Sequence, residues 1–416
     1  MERYDKLYRL YDEHDTATLR ALQDLADLFP AMDSRVALDR WQEISEELED
    51  GKKEVRDAFP DVGATFADLA TRATRDQAFT ALDLYGKYDR AVNVFVLDVD
   101  ETLRSTGSTD NEIPRDTLNL LTKFHNKGVP IVICTGQTLE SVKGFAIQGL
   151  GSEIVHSGTL SIVYETGSGV FTPGHGVDTK QLLYADLDDD ILEVFDDVRS
   201  RILSEAPSRL REGCHLQGNE FNITLKPNFE TGSTAAREVI DEALVYELDL
   251  LADAVTSLDR FDDVADETSR DWARAYYAEQ DPEIRLVLEE QGGMPDAGSV
   301  DVPTDVQDLF DRIDIGYYEA DAAEIGSLEL SKVVGVEAAF DVLDIDDPFA
   351  IVMGDSKSDL RVMRWVGEND AGLAAAPDHA SQNVLDHVLA TDELVFDQGR
   401  ASEILRTVWA LNRLAR

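Results

Sequence analysis

One short stretch constrains the fold of this chain more than any other. Residues 94–103 read VFVLDVDETL, a run of apolar, β-prone residues that ends at two aspartates, Asp98 and Asp100. Two carboxylates one residue apart repel each other, and removing water from them is costly. The strand therefore either ends in solvent or places its acids around a positive charge.

From residue 91 onward, short apolar strands alternate with amphipathic helices. The pattern predicts strands at 92–98 and 129–136, helices at 115–127 and 138–148, and a strand with a hairpin over 153–173. After an interruption the alternation resumes, with a helix at 331–341, a strand at 350–354 and a helix at 357–366. Such alternation predicts an α/β fold built on a doubly wound parallel sheet.

Two segments have a different pattern. Residues 1–90 look all-helical, and Trp41, Ile44 and Leu48 predict a helix that ends before Gly51. Residues 176–321 mix helical stretches with extended ones, which predicts a separate α+β insertion. We therefore expect four segments, which are a helical module at 1–90, the first part of the core at 91–175, the insertion at 176–321 and the second part of the core at 322–416.

The predicted core strands end in residues that can carry chemistry. Ligands of parallel sheets bind at the carboxyl ends of the strands. The three relevant strand ends are Asp98 with Asp100, Thr135 with Gly136, and Asp355 followed by Asp359, and Lys332 begins the helix before the last strand. Alone, each has a plain structural explanation, such as a solvated strand end or a helix N-cap. Together, so many carboxylates need a cation, and hard oxygen ligands favour Mg²⁺.

These segments resemble the motifs of the haloacid dehalogenase-like (HAD) superfamily of phosphohydrolases. DVDETL is similar to its first motif, VICTGQ to its second, Lys332 to its third and GDSKSDLRVM to its fourth. The insertion resembles that superfamily's C2 cap. HSGTLSIVYETG and PDHASQNVLDHVLATDEL resemble the Cof-type and sugar-phosphatase branch, whereas residues 1–90 match nothing in it.

The resemblance implies an enzyme and a role for each motif residue. Asp98 is then the nucleophile that forms an aspartyl-phosphate, and Asp100 is the general acid and base. Thr135 and the backbone amide of Gly136 hold phosphoryl oxygens. Lys332 neutralises the charge that builds on those oxygens and on Asp98.

The resemblance also implies the metal ligands. Mg²⁺ is expected to be held by Asp98, the backbone carbonyl of Asp100 and Asp355, with Asp359 close by or acting through water. The fourth motif departs from the branch at one position, because Ser358 stands where an asparagine is common. A hydroxyl can replace the hydrogen bond of that amide.

Charge limits the partners of this chain. The 84 acidic residues outnumber the 38 basic ones, the net charge is -46, and arginine is more than twice as common as lysine. A dispersed acidic surface of this kind is typical of halophilic proteins, since molar salt screens its self-repulsion. It argues against nucleic acid and anionic membranes as partners. The charged N-terminus and the lack of a long apolar run predict a cytoplasmic protein.

The sequence-based hypothesis is a Mg²⁺-dependent phosphatase that acts on a small phosphorylated metabolite, most simply a sugar phosphate. Polar cap residues are candidates for choosing the substrate, namely His215, Asn219, Glu220, Asn222 and Lys226. Two alternatives stay open. One is a phosphomutase that returns the phosphoryl group to sugar, and the other is a non-catalytic binding or scaffold protein. The N-terminal helices are candidates for docking a partner or a second copy of the chain.

Overall fold

The computed structural model describes residues 2–28, 35–104, 112–261, 269–296 and 300–415. The strands are β1 (Val94–Leu97), β2 (Ile131–Cys134), β3 (Leu160–Tyr164), β4 (Gly169–Phe171), β5 (Gln181–Leu182), β6 (Cys214–Gly218), β7 (Asn222–Pro227), β8 (Ile313–Tyr318), β9 (Ala322–Ser327), β10 (Ala350–Met353), β11 (Gly372–Pro377) and β12 (Leu394–Phe396). The helices are α1 (Glu2–Glu13), α2 (Thr16–Leu28), α3 (Arg35–Ala58), α4 (Gly63–Arg72), α5 (Arg75–Tyr88), α6 (Arg115–His125), α7 (Leu139–Gly149), α8 (Ser152–Val155), α9 (Asp189–Arg201), α10 (Ser208–Gly213), α11 (Thr234–Thr256), α12 (Ser269–Gln280), α13 (Pro282–Glu290), α14 (Thr304–Phe310), α15 (Lys332–Val342), α16 (Lys357–Glu368), α17 (Gln382–Ala390) and α18 (Ala401–Leu414).

The large sheet has the order β12-β11-β10-β1-β2-β3-β4-β5. Its first six strands run parallel, and β4 and β5 add an antiparallel edge. At the centre, Leu97 of β1 lies opposite Met353 of β10 and Ile133 of β2. The predicted parallel α/β core is therefore confirmed, and its register brings the acidic ends of β1 and β10 to the same edge.

Both faces of β1 are covered, which explains its unbroken apolar sequence. Phe95 and Leu97 belong to the apolar cluster that includes α6 and α18. Val94 and Val96 belong to the cluster on the other face, together with residues of α15, α16 and α17. The strand is fixed from both sides, so the residues that follow it have a rigid base.

The N-terminal helices share the first of these clusters. Leu7, Leu10 and Leu69 are buried in the same apolar cluster as Phe95 and Trp409. The apolar faces of this module therefore pack against the core of the large sheet, although no family resemblance was found for the module. Docking of a partner or of a second copy of the chain stays a prediction.

Polar contacts reinforce this attachment. Asp24 of α2 pairs with Arg406 of α18 at 2.9 Å, and Asp68 of α4 pairs with Arg413 at 2.7 Å. The guanidinium of Arg72 lies 5.0 Å from the ring centroid of Trp409. The interface therefore combines a continuous apolar core with ion pairs at its margin.

One predicted helix boundary is wrong. The helix expected to end before Gly51 continues through it as α3, as far as Ala58. A Cβ atom at Gly51 would lie 2.4 Å from Cδ2 of Leu19 in α2. The glycine therefore allows two helices to approach closely and does not end α3.

The insertion has its own sheet and its own apolar core. Its strands follow the order β6-β7-β9-β8 and all pair antiparallel. Its core is a separate cluster in which Ile223, Leu244 and Ile325 are fully buried. We refer to this unit, which corresponds to the predicted cap, as the cap. β5 falls in the segment predicted as cap but pairs with the large sheet. Among the described residues, no helix has the length and apolar character needed to span a membrane.

Candidate active site

The ends of β1 and β10 form the centre of the site. The backbone amide of Asp98 donates to the carbonyl of Met353 at 2.9 Å, which continues the ladder one residue beyond β1. Asp98 is only 7% exposed. Asp355 follows β10, and Asp359 lies in the first turn of α16. One oxygen of each of these three aspartates lies within 4.8 Å of the others.

Lys332 reaches this cluster from α15. It is the first residue of that helix, which begins behind the N-cap residue Ser331, and it is 3% exposed. Its ammonium donates to Asp98 Oδ1 at 2.9 Å and to Asp359 Oδ1 at 2.6 Å. The lysine is therefore a buried counter-ion rather than a surface residue.

The charges of the cluster do not balance. Three carboxylates face one ammonium, so two negative charges are left when all groups are ionised. The pKa of Asp98 is raised well above its usual value, because burial outweighs the attraction of Lys332. Burial and the neighbouring Asp359 raise the pKa of Asp355 to about 7. Burial lowers the pKa of Lys332, but the carboxylates Asp359 and Asp98 outweigh it, so that pKa is raised.

This surplus fits a divalent cation. The donors are hard carboxylate oxygens, which Mg²⁺ prefers. Asp98 and Asp355, which were predicted as side-chain ligands, lie together with Asp359, which was expected close by or acting through water. The carboxylate of Asp100 lies outside this group, and its backbone carbonyl stays a predicted ligand.

Asp359 has two tasks in this arrangement. Its Oδ2 accepts from the backbone amide of Ser356 at 3.2 Å and from the hydroxyl of Ser356 at 2.6 Å. These bonds form a capping box at the start of α16. Its Oδ1 accepts from Lys332. Asp359 therefore caps helix α16 and also lies in the acidic cluster beside Lys332.

Asp100 has a cation of its own. Its Oδ1 accepts from Nε of Arg104 at 2.9 Å and from Nη2 at 2.7 Å. Its Oδ2 accepts from the amide nitrogen of Gln137. The two acids after β1 therefore avoid mutual repulsion by facing different cations, Lys332 and Arg104. The roles of Arg104 and Gln137 were not predicted, although Arg104 stands one helical turn after Asp100.

Thr135 and Gly136 follow β2, next to these groups. Thr135 is 1% exposed, and its Oγ1 accepts from the backbone amide of Gln137 at 3.1 Å. Its carbonyl accepts from the backbone amide of Thr166 at 3.0 Å. Gly136 is exposed. The loop is thus anchored behind Gly136, and the hydroxyl proton of Thr135 is available for donation.

The predicted cap residues separate into two groups. Asn219 Nδ2 donates to the carbonyl of Glu165 at 3.2 Å and to Ser168 Oγ at 2.9 Å, so it joins the cap to the core. Asn222 lines a cleft between the cap and the core.

The other three predicted cap residues do not line that cleft. His215 contacts Asn228 at 2.8 Å, Lys226 pairs with Asp321 at 3.1 Å, and Glu220 is exposed.

Helix α16 also contacts the cap, which the sequence did not predict. Lys357 donates to Glu283 Oε2 at 3.0 Å and to the carbonyl of Tyr317 at 2.8 Å. One turn later, Arg361 pairs with Asp314. The sequence did contain a signal for this contact: Lys357 and Arg361 stand four residues apart, so they share one face of a helix in a very acidic chain.

The comparisons with known proteins agree with the sequence motifs. Residues 95–170 match the family model of haloacid dehalogenase-like hydrolases. That segment includes Asp98, Asp100, Thr135 and Gly136. No curated protein matches the chain.

Solved structures of related description align with most of the chain. An HAD/COF-like hydrolase from Plasmodium vivax has 12% identity and a TM-score of 0.44, and the alignment covers 80% of this chain and 98% of the other. The sucrose-phosphatase of Synechocystis sp. has 12% identity and a TM-score of 0.42, and the alignment covers 78% of this chain and 99% of the other. A haloacid dehalogenase-like hydrolase from Bacteroides thetaiotaomicron has 13% identity and a TM-score of 0.40, and the alignment covers 76% of this chain and 98% of the other.

The family match confirms the resemblance and the enzyme class that were predicted from the motifs. The matched segment contains the ends of β1 and β2, and the end of β10 lies beside that of β1 in the sheet. Residues 95–170 are thus similar in sequence to haloacid dehalogenase-like hydrolases.

Proposed function

We propose that this protein is a Mg²⁺-dependent phosphomonoester hydrolase that works through an aspartyl-phosphate on a small phosphorylated metabolite, a sugar phosphate. The observation that carries the proposal is the buried cluster of Asp98, Asp355, Asp359 and Lys332 at the ends of β1 and β10. The match of residues 95–170 to a hydrolase family supports the reaction class.

Asp98 is the nucleophile of the proposed reaction. Its buried carboxylate is held by Lys332, which fixes its position at the end of a rigid strand. An oxygen of Asp98 attacks phosphorus, and the bond between phosphorus and the leaving oxygen breaks. Lys332 offsets the negative charge on the phosphoryl oxygens during this step.

Asp100 transfers the protons. It donates one to the leaving oxygen in the first step and removes one from water in the second. The water oxygen then bonds to phosphorus, the bond from phosphorus to Asp98 breaks, and inorganic phosphate leaves. Arg104 and Gln137 hold the carboxylate of Asp100 in place.

The remaining groups bind the phosphoryl oxygens and the metal. The hydroxyl of Thr135 and the amide of Gly136 donate to those oxygens. Asp98, Asp355 and the backbone carbonyl of Asp100 would hold Mg²⁺, with Asp359 beside them. The metal supplies charge neutralisation at the transferring group when it is bound.

A phosphate-release screen tests this function. The wild-type protein is assayed with a panel of sugar phosphates and with p-nitrophenyl phosphate, in molar KCl with Mg²⁺. We expect release of inorganic phosphate, with a loss of at least about a thousandfold in Asp98→Asn, since the nucleophile acts as part of a unit. Asp178→Asn, which changes an exposed aspartate, is the matched control and should keep full activity.

The same assay separates the alternatives. A phosphomutase would move the phosphoryl group between sugar positions and release little inorganic phosphate. Equal activity in wild type and Asp98→Asn would remove Asp98 from its role. No release from any ester, in a folded protein supplied with Mg²⁺, would refute the hydrolase.

A further inference from the structure

A cleft between the core and the cap is lined by residues that neighbour the proposed catalytic site in sequence. It is lined by Ser331, which precedes Lys332, and by Ser358, which precedes Asp359. It is also lined by Thr166, whose amide donates to the carbonyl of Thr135. The cleft therefore touches the residues next to three of the predicted motifs. The leaving group of an ester whose phosphorus faces Asp98 would lie toward this cleft.

The walls of the cleft are polar and contain more acid than base. Among the described residues that line it, Asp314 and Glu324 are acidic and Arg361 is basic. One nitrogen of the Arg361 guanidinium pairs with Asp314. A second phosphate or a carboxylate on the substrate would compete with Asp314 for Arg361 and would still face Glu324. Like charges brought together in a poorly solvated cleft repel strongly.

Glu324 has acceptor capacity left for a ligand. Its Oε1 accepts from the hydroxyl of Tyr318, and its Oε2 accepts from the hydroxyl of Thr224, each at the long distance of 3.3 Å. A carboxylate offers about four acceptor sites, so such weak bonds leave room for stronger ones. Sugar hydroxyls are donors of the right kind. The ring of Phe221 and the side chain of Leu330 supply an apolar surface for the carbon face of a sugar.

We propose that Glu324, Asp314 and Arg361 form the leaving-group subsite, and that it takes a neutral polyhydroxylated group and rejects one that carries a second anion. This inference rests on the proposed hydrolase function and narrows its substrates to monophosphates of uncharged sugars or polyols. It also opposes a mutase cycle in which a sugar bisphosphate is bound.

The cleft is narrow in the structure, with space for about one water molecule. A sugar therefore enters when the cap moves away from α16. Contacts across this boundary include those of Lys357 with Glu283 and of Arg361 with Asp314. After closure, the hydroxyls of the leaving group bind between Glu324 and Arg361.

The test compares sugar esters that differ by one anion. Neutral hexose and pentose monophosphates are each assayed beside the corresponding bisphosphate, and p-nitrophenyl phosphate reports on chemistry without sugar contacts. We expect the wild-type protein to show kcat/KM at least about tenfold higher for the best monophosphate than for its bisphosphate. The kcat/KM for that monophosphate should also exceed the kcat/KM for p-nitrophenyl phosphate.

Three variants locate the effect. Glu324→Gln should lose about tenfold or more in kcat/KM for the monophosphate, mainly through KM, because a hydrogen bond to a charged group is weakened. Its activity on p-nitrophenyl phosphate should stay within about twofold, which also shows that the variant folds. Asp314→Asn removes the carboxylate that pairs with Arg361, so it should reduce the ratio of kcat/KM for the monophosphate to kcat/KM for the bisphosphate. Glu319→Gln makes the same change at an exposed cap residue outside the cleft and should leave all values unchanged.

The failures are distinguishable. A wild-type protein that releases no phosphate from any ester refutes the hydrolase and this subsite with it. A protein that hydrolyses p-nitrophenyl phosphate but prefers a bisphosphate, or gains nothing from a sugar leaving group, refutes the subsite alone. The same holds if Glu324→Gln and Glu319→Gln behave alike.

Discussion

Removing the ammonium of Lys332 is the sharpest test of the proposed site. In Lys332→Met, the buried carboxylates of Asp98 and Asp359 lose bonds of 2.9 and 2.6 Å, and no cation replaces them in a metal-free solution. Breaking a buried ion pair from one side costs about 3–5 kcal/mol, because the remaining charge stays desolvated. We expect the free energy of unfolding to fall by about that amount.

A double-mutant cycle with Asp359→Asn separates this coupling from loss of packing. Asp359→Asn alone should cost about 1.5–3 kcal/mol, since one hydrogen bond to a charged group is lost while Asp98 still balances Lys332. In the double variant, position 359 no longer carries an unpaired charge. The combined loss should therefore be smaller than the sum by about 1–3 kcal/mol.

Urea unfolding with EDTA at pH 7.5 measures these differences, at a fixed molar concentration of KCl. Lys53→Met, which removes an exposed lysine of α3, is the control and should change the free energy of unfolding by less than about 0.5 kcal/mol. Two results would contradict the reasoning. One is a Lys332→Met variant as stable as the control, and the other is strict additivity in the cycle.

Three further expectations concern the metal, pH and salt. Mg²⁺ at about 100 times its dissociation constant should stabilise the wild-type protein by about 2.7 kcal/mol, and Asp355→Asn should lose most of this gain in melts with and without the metal. Burial and the nearby Glu324 raise the pKa of Glu247, so the folded cap retains a proton that the unfolded chain releases, and stability should fall as pH rises above about 4.5 through the folded pKa. Asp98 and Asp355 contribute in the same direction, so melting curves from pH 5 to 8 should fall more steeply in the wild-type protein than in Glu247→Gln, and parallel curves would contradict this. Finally, KM for a phosphate ester should decrease as KCl rises, because salt screens the repulsion between the net charge of -46 and the substrate, and a steady loss of activity in the folded protein would disprove this.

Much of the site could be predicted because its signals are local. The strand before Asp98 is a continuous apolar run, and the parallel sheet carries that end to the edge where Asp355 also lies. Lys332 was identified through a motif, and the fold places it between Asp98 and Asp359. In each case a short pattern fixed the element, and the rule for parallel sheets fixed its neighbours.

The parts that were missed depend on contacts between distant segments. Arg361 pairs with Asp314 only because the cap packs on α16, and the position of the cap relative to the core cannot be predicted from local sequence patterns. Gly51 was read as a helix end, since glycine is a poor helix former, but its lack of a side chain makes room for Leu19. Tertiary packing decided both positions.

The shared core beneath the large sheet has a consequence for how this chain can be divided. Trp409 and Phe124 lie edge to face, with centroids 5.4 Å apart, and Arg72 from the N-terminal helices covers the tryptophan. Cutting the chain before β1 would turn this interior into a water-facing apolar surface, of the kind that makes proteins aggregate. The first five helices and the part of the chain that follows them should therefore be expressed and redesigned as one piece.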